Sequence, residues 1–193
     1  MGVNHKRVQR LIQEMGLPVR TKKQRKYSLY KGEQGKIAPN LLQRDFSASK
    51  PNEKWLTDIT EFSVKDEKRY FSPILDCFNN ELIAYGLSRR PNGMLVQEML
   101  LQAVEKLPRN ANLILHSDQG IHYQMPSYQR LLAKNRIAQS MSRKGNCLDN
   151  AAMESFFGRM KTECFHGKSF TGIDELEKVI NDYAGTIMKN ESN

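Results

Sequence analysis

The stretch Lys54-Trp55-Leu56-Thr57-Asp58-Ile59-Thr60-Glu61-Phe62-Ser63-Val64 places apolar side chains at both parities of a strand repeat, with one carboxylate in their midst. A strand covered on one face alternates apolar with polar, whereas a strand covered on both faces reads as a nearly continuous apolar run. Residues 54–64 therefore predict a central strand. Asp58 is costly among such neighbours unless something compensates its charge.

Working downstream, Asp66–Lys68 predicts a charged turn, Arg69–Phe78 a second strand, Asn79-Asn80 a tight turn and Glu81–Ser88 a third strand. Pro73 inside the second strand argues for an edge or a bulge. Helices are predicted over Met94–Leu107, Gln124–Lys134, Asn150–Cys164 and Gly172–Tyr183, and further strands over Leu113–Ser117 and Ile137–Met141. The last helix carries Ile173, Leu176, Val179, Ile180 and Tyr183 on one stripe, and the helical period is lost after Tyr183. A three-strand meander followed by helix–strand alternation gives an α/β fold with a five-stranded mixed sheet flanked by helices.

Working upstream, Asn4–Met15 reads as a short amphipathic helix, with Val8, Leu11, Ile12 and Met15 on one stripe, Asn4 at its start and Gly16 at its end. Residues 18–51 read as a mobile basic linker.

The composition excludes several classes. With 39% hydrophobic and 26% charged residues in 193, the chain can bury a core, which excludes wholesale disorder. No run of 18 apolar residues predicts a membrane span, and no apolar leader follows the basic start. Cys77, Cys147 and Cys164 are scattered and form no CxxC pair, which argues against a disulfide framework and for a reducing cytoplasm. The net charge of +9 sits entirely in residues 1–50, which hold twelve Lys/Arg against three Asp/Glu. Such a segment attracts a polyanion, nucleic acid foremost, although a solvated tail or an anionic membrane patch has the same composition. Lys6, Arg7, Arg10, Lys22, Lys23, Arg25 and Lys26 are its candidate DNA contacts, joined by Arg143 and Lys144 of the basic loop at 143–149. Tyr27 and Tyr30 lie among the N-terminal cations, where they could stack on bases.

Three acids stand out for chemistry. Asp58 lies mid-strand, Asp118 follows the apolar run Leu113-Ile114-Leu115, and Glu154 lies on a helix 35 intervening residues later. The carboxyl ends of strands are where ligand sites in open α/β sheets gather. Clustered carboxylates require protons or cations. Mg²⁺ or Mn²⁺ suits them, and two such ions can clamp the attacking and leaving oxygens of a phosphodiester. Taken singly, Asp76 and Asp149 are equally tempting. Asn150, Glu154, Gly158 and Lys161 share one helix face, on which Lys161 could neutralise a DNA phosphate; a plain solvated polar face would read the same way. His116 could act as a base or merely support Asp118, and the spacing of Cys164, His166 and His122 does not suit zinc.

The blocks Trp55-Leu56-Thr57-Asp58-Ile59-Thr60, His116-Ser117-Asp118-Gln119-Gly120 and Asp149-Asn150-Ala151-Ala152-Met153-Glu154-Ser155-Phe156-Phe157 resemble the three signatures of DDE insertion-sequence transposases. More narrowly, they resemble the integrase-core protein of the second reading frame in two-frame bacterial elements. The Asp–Glu spacing and the Lys seven residues beyond Glu154 are also similar to retroviral integrases. The likeness spans about Asn52 to Asp182. It implies a ribonuclease H-like core with Asp58, Asp118 and Glu154 as ligands of two Mg²⁺ or Mn²⁺ ions, Lys161 near DNA, and Pro73 at a bulge within the sheet. The implied activity is nicking at element ends followed by joining of the 3′-hydroxyl to target DNA, by a homo-oligomer acting on DNA in the bacterial nucleoid, with no small-molecule substrate.

The resemblance divides the chain into a remnant of a helical DNA-binding segment (1–17), the basic linker (18–51), the integrase-like core (52–183) and an atypical tail (184–193). Read in a neighbouring frame with suitable codons, that tail gives the Trp-Tyr-Tyr-Asn-rich sequence expected of the family, so a frameshift is expected there. An exposed apolar stripe on the last helix, with low solubility or self-association, would follow. Two rivals stand beside the transposase reading. A non-catalytic DNA-binding fragment, or inhibitor of a full-length copy, would bind without cutting; a ribonuclease H-type or resolvase-like nuclease would cut without joining.

Overall fold

A computed structural model describes residues 5–16, 35–144 and 147–189 of the chain. The chain divides into two units, Met1–Gly32 and Glu33–Asn193. In the first, helix α1 spans His5–Glu14, steadied by an Arg10–Glu14 pair at 3.3 Å. Gly16, at φ 60°, takes the left-handed conformation that ends a helix. Leu11 and Met15 of the predicted stripe are exposed.

The second unit is built on one mixed sheet. Its strands are β1 (Lys54–Thr57), β2 (Thr60–Val64), β3 (Glu67–Asp76), β4 (Leu82–Ser88), β5 (Ile114–Ser117) and β6 (Ala138–Met141). The helices are α2 (Gly93–Lys106), α3 (Ile121–Gln124), α4 (Pro126–Lys134), α5 (Ala151–Cys164) and α6 (Ile173–Lys189). The sheet has six strands rather than the predicted five. The sixth arises because residues 54–64 form one continuous register against β3 but are interrupted at Asp58-Ile59. Thr57 pairs with Ile74 and Thr60 with Phe71, so Asp58 lies opposite Pro73. The Cys77 N–H donates to the Lys54 carbonyl at 2.9 Å, so Leu75, Pro73 and Phe71 turn toward the same edge. At position 73 the donor that would meet the Asp58 carbonyl does not exist, and the ladder breaks there.

Pro73 thus lies on a strand paired on both sides, with β4 on its other edge. Pro73 itself keeps regular register with Tyr85; the register against β4 shifts beyond it, between Ile74 and Leu75. β1 pairs parallel with β5, and β5 parallel with β6.

Both faces of the sheet are covered, as the apolar run at 54–64 requires. Leu56, Phe62, Phe71 and Leu75 pack with Met153, Phe156 and Met160 of α5 and Leu176 and Ile180 of α6. Trp55, Ile74 and Leu115 pack with Val96, Met99 and Leu100 of α2 and Leu132 of α4. Each such large side chain, once buried, contributes about 1.5–3 kcal/mol. Pro126 opens α4, so the helix predicted over Gln124–Lys134 starts two residues later and ends at Lys134 as expected, with the short α3 ahead of it. No helix among the described residues is long and apolar enough to cross a membrane.

Two expectations are corrected. The helical period does not end at Tyr183: α6 runs to Lys189, because Ala184 falls four residues after Ile180 and is fully buried, while Ile187 and Met188 are half-buried. The stripe is packed through residue 184 rather than exposed. Nor are residues 35–51 a free linker. A Cβ at Gly35 would collide with the Gln124 carbonyl, so only glycine allows that approach. The Lys36 carbonyl accepts from Gln129 Nε2, the Pro39 carbonyl accepts from the Met141 N–H, and Leu42 is buried in the core. Residues 18–34 of the predicted linker lie outside the described residues.

Candidate active site

Asp58 sits at the ladder break opposite Pro73. Its Oδ1 accepts from the Ile59 N–H at 2.7 Å and its Oδ2 from Asn150 Nδ2 at 2.7 Å. The parallel register of β1 on β5 pairs Leu56 with His116, so two residues further the same register brings Asp58 beside Asp118. Asp118 Oδ1 accepts from the Gly120 N–H at 2.8 Å, closing a turn at the carboxyl end of β5. Burial pushes the Asp58 carboxyl up to about 7, reinforced first by the Asp118 charge and more weakly by Glu154. None of the three acids has a salt bridge among the described residues.

Glu154 lies exposed in the first turn of α5. Among the described residues, no three His, Cys, Asp or Glu side chains already stand together as a ligand group. The close pair is Asp58 and Asp118, while the Glu154 charge bears on Asp58 more weakly. Two adjacent half-buried carboxylates, with no cationic partner among the described residues, make a hard-oxygen donor set that suits Mg²⁺ or Mn²⁺.

Asn150, which the sequence placed on a DNA-facing stripe, donates its amide to Asp58. Lys161 lies on α5 with its ammonium 5.3 Å from the centre of the Phe62 ring. Arg143 directs Nε and Nη2 at the Asp149 carboxylate, both at 2.9 Å, so its guanidinium is largely engaged within the fold. Lys144 is exposed, as are Lys6, Arg7 and Arg10 of α1. The candidates Lys22, Lys23, Arg25 and Lys26, with Tyr27 and Tyr30, lie outside the described residues.

His116 is buried, and both ring nitrogens are occupied. Nδ1 is 2.7 Å from Ser140 Oγ and Nε2 is 3.1 Å from the Asp149 carbonyl. A carbonyl only accepts, so the proton sits on Nε2 and Nδ1 accepts from Ser140. Burial lowers the pKa of the ring, which suits this neutral form. His116 is therefore a strut behind Asp118. Asp76 is also structural, accepting from the Asn52 and Phe78 N–H groups and from Trp55 Nε1.

Asp149 is the residue that sequence reading left undecided. Its side chain is fully buried and accepts from Asn40 Nδ2, Arg44 Nε and the Arg143 N–H, besides the two guanidinium hydrogen bonds. These donors, the Arg143 guanidinium foremost, hold its carboxyl far below the ordinary range. Local sequence signals only that an acid precedes a helix; Asn40 and Arg44, more than a hundred residues away, cannot be read from that.

Comparisons with known proteins bear on the family and the fold. The integrase core domain family matches residues 48–147, and a second integrase core domain family matches residues 135–186. A transposase-like protein of Haemophilus influenzae is 59% identical over 181 residues, covering 94% of this chain and 83% of that protein. The InsK protein of insertion sequence element IS150 from Escherichia coli is 52% identical, and the transposase InsF for insertion sequence IS3A from the same organism is 35% identical. The chain spans 64% and 62% of their respective lengths. A chain of the simian T-cell lymphotropic virus intasome, solved in complex with PP2A regulatory subunit B56 gamma, superimposes on 80% of this chain with a TM-score of 0.56 at 19% identity, covering 53% of that chain. This likeness gives the fold, a ribonuclease H-like core of the retroviral integrase type. The chain belongs to the integrase-core family of insertion-sequence transposases, and its second unit is that family's polynucleotidyl transferase core.

Proposed function

We propose that Asp58, Asp118 and Glu154 together hold divalent metal, Mg²⁺ or Mn²⁺ as a pair of ions, and that the chain thereby nicks DNA at element ends and joins the freed 3′-hydroxyl to target DNA. The observation that supports this most is the Asp58–Asp118 pair, set side by side at strand carboxyl ends with no cation paired to it among the described residues. Bound metal would supply Lewis-acid activation of the attacking hydroxyl and stabilisation of the leaving oxygen. Asn150 would fix the Asp58 carboxylate so that its lone pairs face Asp118. The turn at Gly120 would fix Asp118, and Glu154 would close the set from α5.

Element ends and target DNA are the proposed partners, with a homo-oligomer bringing two ends together. The exposed cations of α1, the basic residues at 18–34 and Lys144 would carry DNA phosphates, and Lys161 would lie near the cleaved strand. The place of action is the nucleoid in the bacterial cytoplasm.

A plasmid assay with Mg²⁺ or Mn²⁺ tests the reading, with Glu154→Gln run alongside. Metal-dependent nicking and joined product, both lost in the variant, are expected. Cutting without joined product would point to a nuclease. DNA binding without cutting would point to a non-catalytic fragment.

A further inference from the structure

Five donors from two distant segments meet on one buried carboxylate. Asn40 and Arg44 come from the strap at 35–50, and Arg143 comes from the loop after β6. The strap adopts an uncommon backbone to do this: Gln43 (φ 50°) and Arg44 (φ 72°) are adjacent non-glycine residues in the left-handed region. Asn40 Oδ1 holds that turn by accepting from the Gln43 N–H at 2.9 Å. Strain of this kind persists only where its surroundings enforce it, and it gathers at functional sites.

What Asp149 touches next leads to all three acids. Its neighbour Asn150 donates to Asp58. Its carbonyl receives His116 Nε2, two residues before Asp118. It lies two residues before α5, which carries Glu154 in its first turn. The strap makes a second connection as well: the Leu41 N–H donates to Ser140 Oγ, the hydroxyl that reaches His116 Nδ1.

We propose that Asp149 is a positioning residue for the catalytic acids, and that Asn40 and Arg44 of the strap set the metal-binding geometry through it. The inference rests on the metal reading above and adds a part played by a segment outside the acid-bearing elements. Asp149 itself touches neither metal nor DNA. It holds the start of α5 so that Asn150 meets Asp58 and Glu154 can turn inward.

The test is Mn²⁺ titration of the full chain, followed by electron paramagnetic resonance, with plasmid nicking measured in parallel. Arg44→Gln is the principal variant, because its side chain is half exposed and its loss leaves no buried cation. Its Mn²⁺ affinity is expected to fall about threefold or more, with Arg44→Lys restoring much of it. Asp149→Asn is expected to lose tenfold or more, and Arg44→Gln should add little in that background, since both act through one carboxylate. If Asp149→Asn fails to fold, Arg44→Gln decides the matter alone. A folded Arg44→Gln chain with wild-type Mn²⁺ affinity and nicking would overturn the inference while leaving the metal reading intact. Absence of Mn²⁺ binding in the wild-type chain would overturn both.

Discussion

Asp58 and Asp149 are both acids surrounded by protein, and their environments act in opposite directions. Asp58 is raised by burial and by Asp118, so its contribution to stability is complete below about pH 3.8 and is lost as the pH rises through about 7. Asp149 is depressed by its donors, so its contribution is present above about pH 3.8 and is lost as the pH falls toward its folded value. For these two groups, the metal-free chain is therefore most stable near pH 4. Thermal melts are expected to show a falling Tm between pH 5 and pH 8, on the order of 5 °C. Asp58→Asn should flatten that fall, and added Mn²⁺ should offset it in the wild type only. Below about pH 3.8 the wild type should again lose Tm, and Asp149→Asn should lose less. An Asp58→Asn chain with the wild-type pH profile would contradict the placement of that carboxylate beside Asp118. Of these residues, the sequence singled out Asp58 and Asp118 as acids that interrupt or end an apolar run, and Glu154 by the helix face it shares with Asn150, Gly158 and Lys161. It did not reveal Asp149 as a hub, because the donors that define it are brought there only by folding.

At the scale of elements, interruptions and continuations decide the architecture. Lys54–Val64 was legible as one central strand, and its register against β3 is unbroken; the interruption at Asp58 required knowing that Pro73 would face it. The end of α6 is not legible in the sequence, because Ala184 and Gly185 look weak as a continuation of the stripe, yet Ala184 completes the row begun by Ile173, Leu176 and Ile180. Ala184→Asp would place an unpaired charge against that core, and its Tm is expected to fall by on the order of 5–10 °C. Gly185→Ala should instead stabilise by about 0.5–1 kcal/mol, because nothing lies within 4 Å of the added Cβ and alanine is the better helix former. Both are measured by thermal or urea unfolding. A neutral Ala184→Asp would mean that the last turns of α6 do not dock. Residues 35–50 escaped sequence reading for another reason: their anchors are backbone groups, a glycine approach and a single buried leucine, none of which makes a periodic pattern.

For the whole molecule, charge and chemistry are separated along the chain. Residues 1–32 hold nine of the twelve Lys/Arg found in the first fifty residues, while the acids and the sheet lie in the second unit. DNA affinity should therefore fall with salt, and deletion of residues 1–32 should shallow that dependence by roughly 0.9 in slope for each phosphate no longer neutralised. Fluorescence anisotropy across a salt series would measure it. An unchanged slope would place the DNA-binding cations in the second unit. The central claim is that Asp58, Asp118 and Glu154 converge on metal, and its most direct measurement is a crystal structure of the chain with Mn²⁺, located by anomalous scattering. Density is expected between Asp58 and Asp118, with Glu154 turned in toward it. Manganese bound elsewhere, or no density at that pair in crystals soaked to saturation, would contradict it.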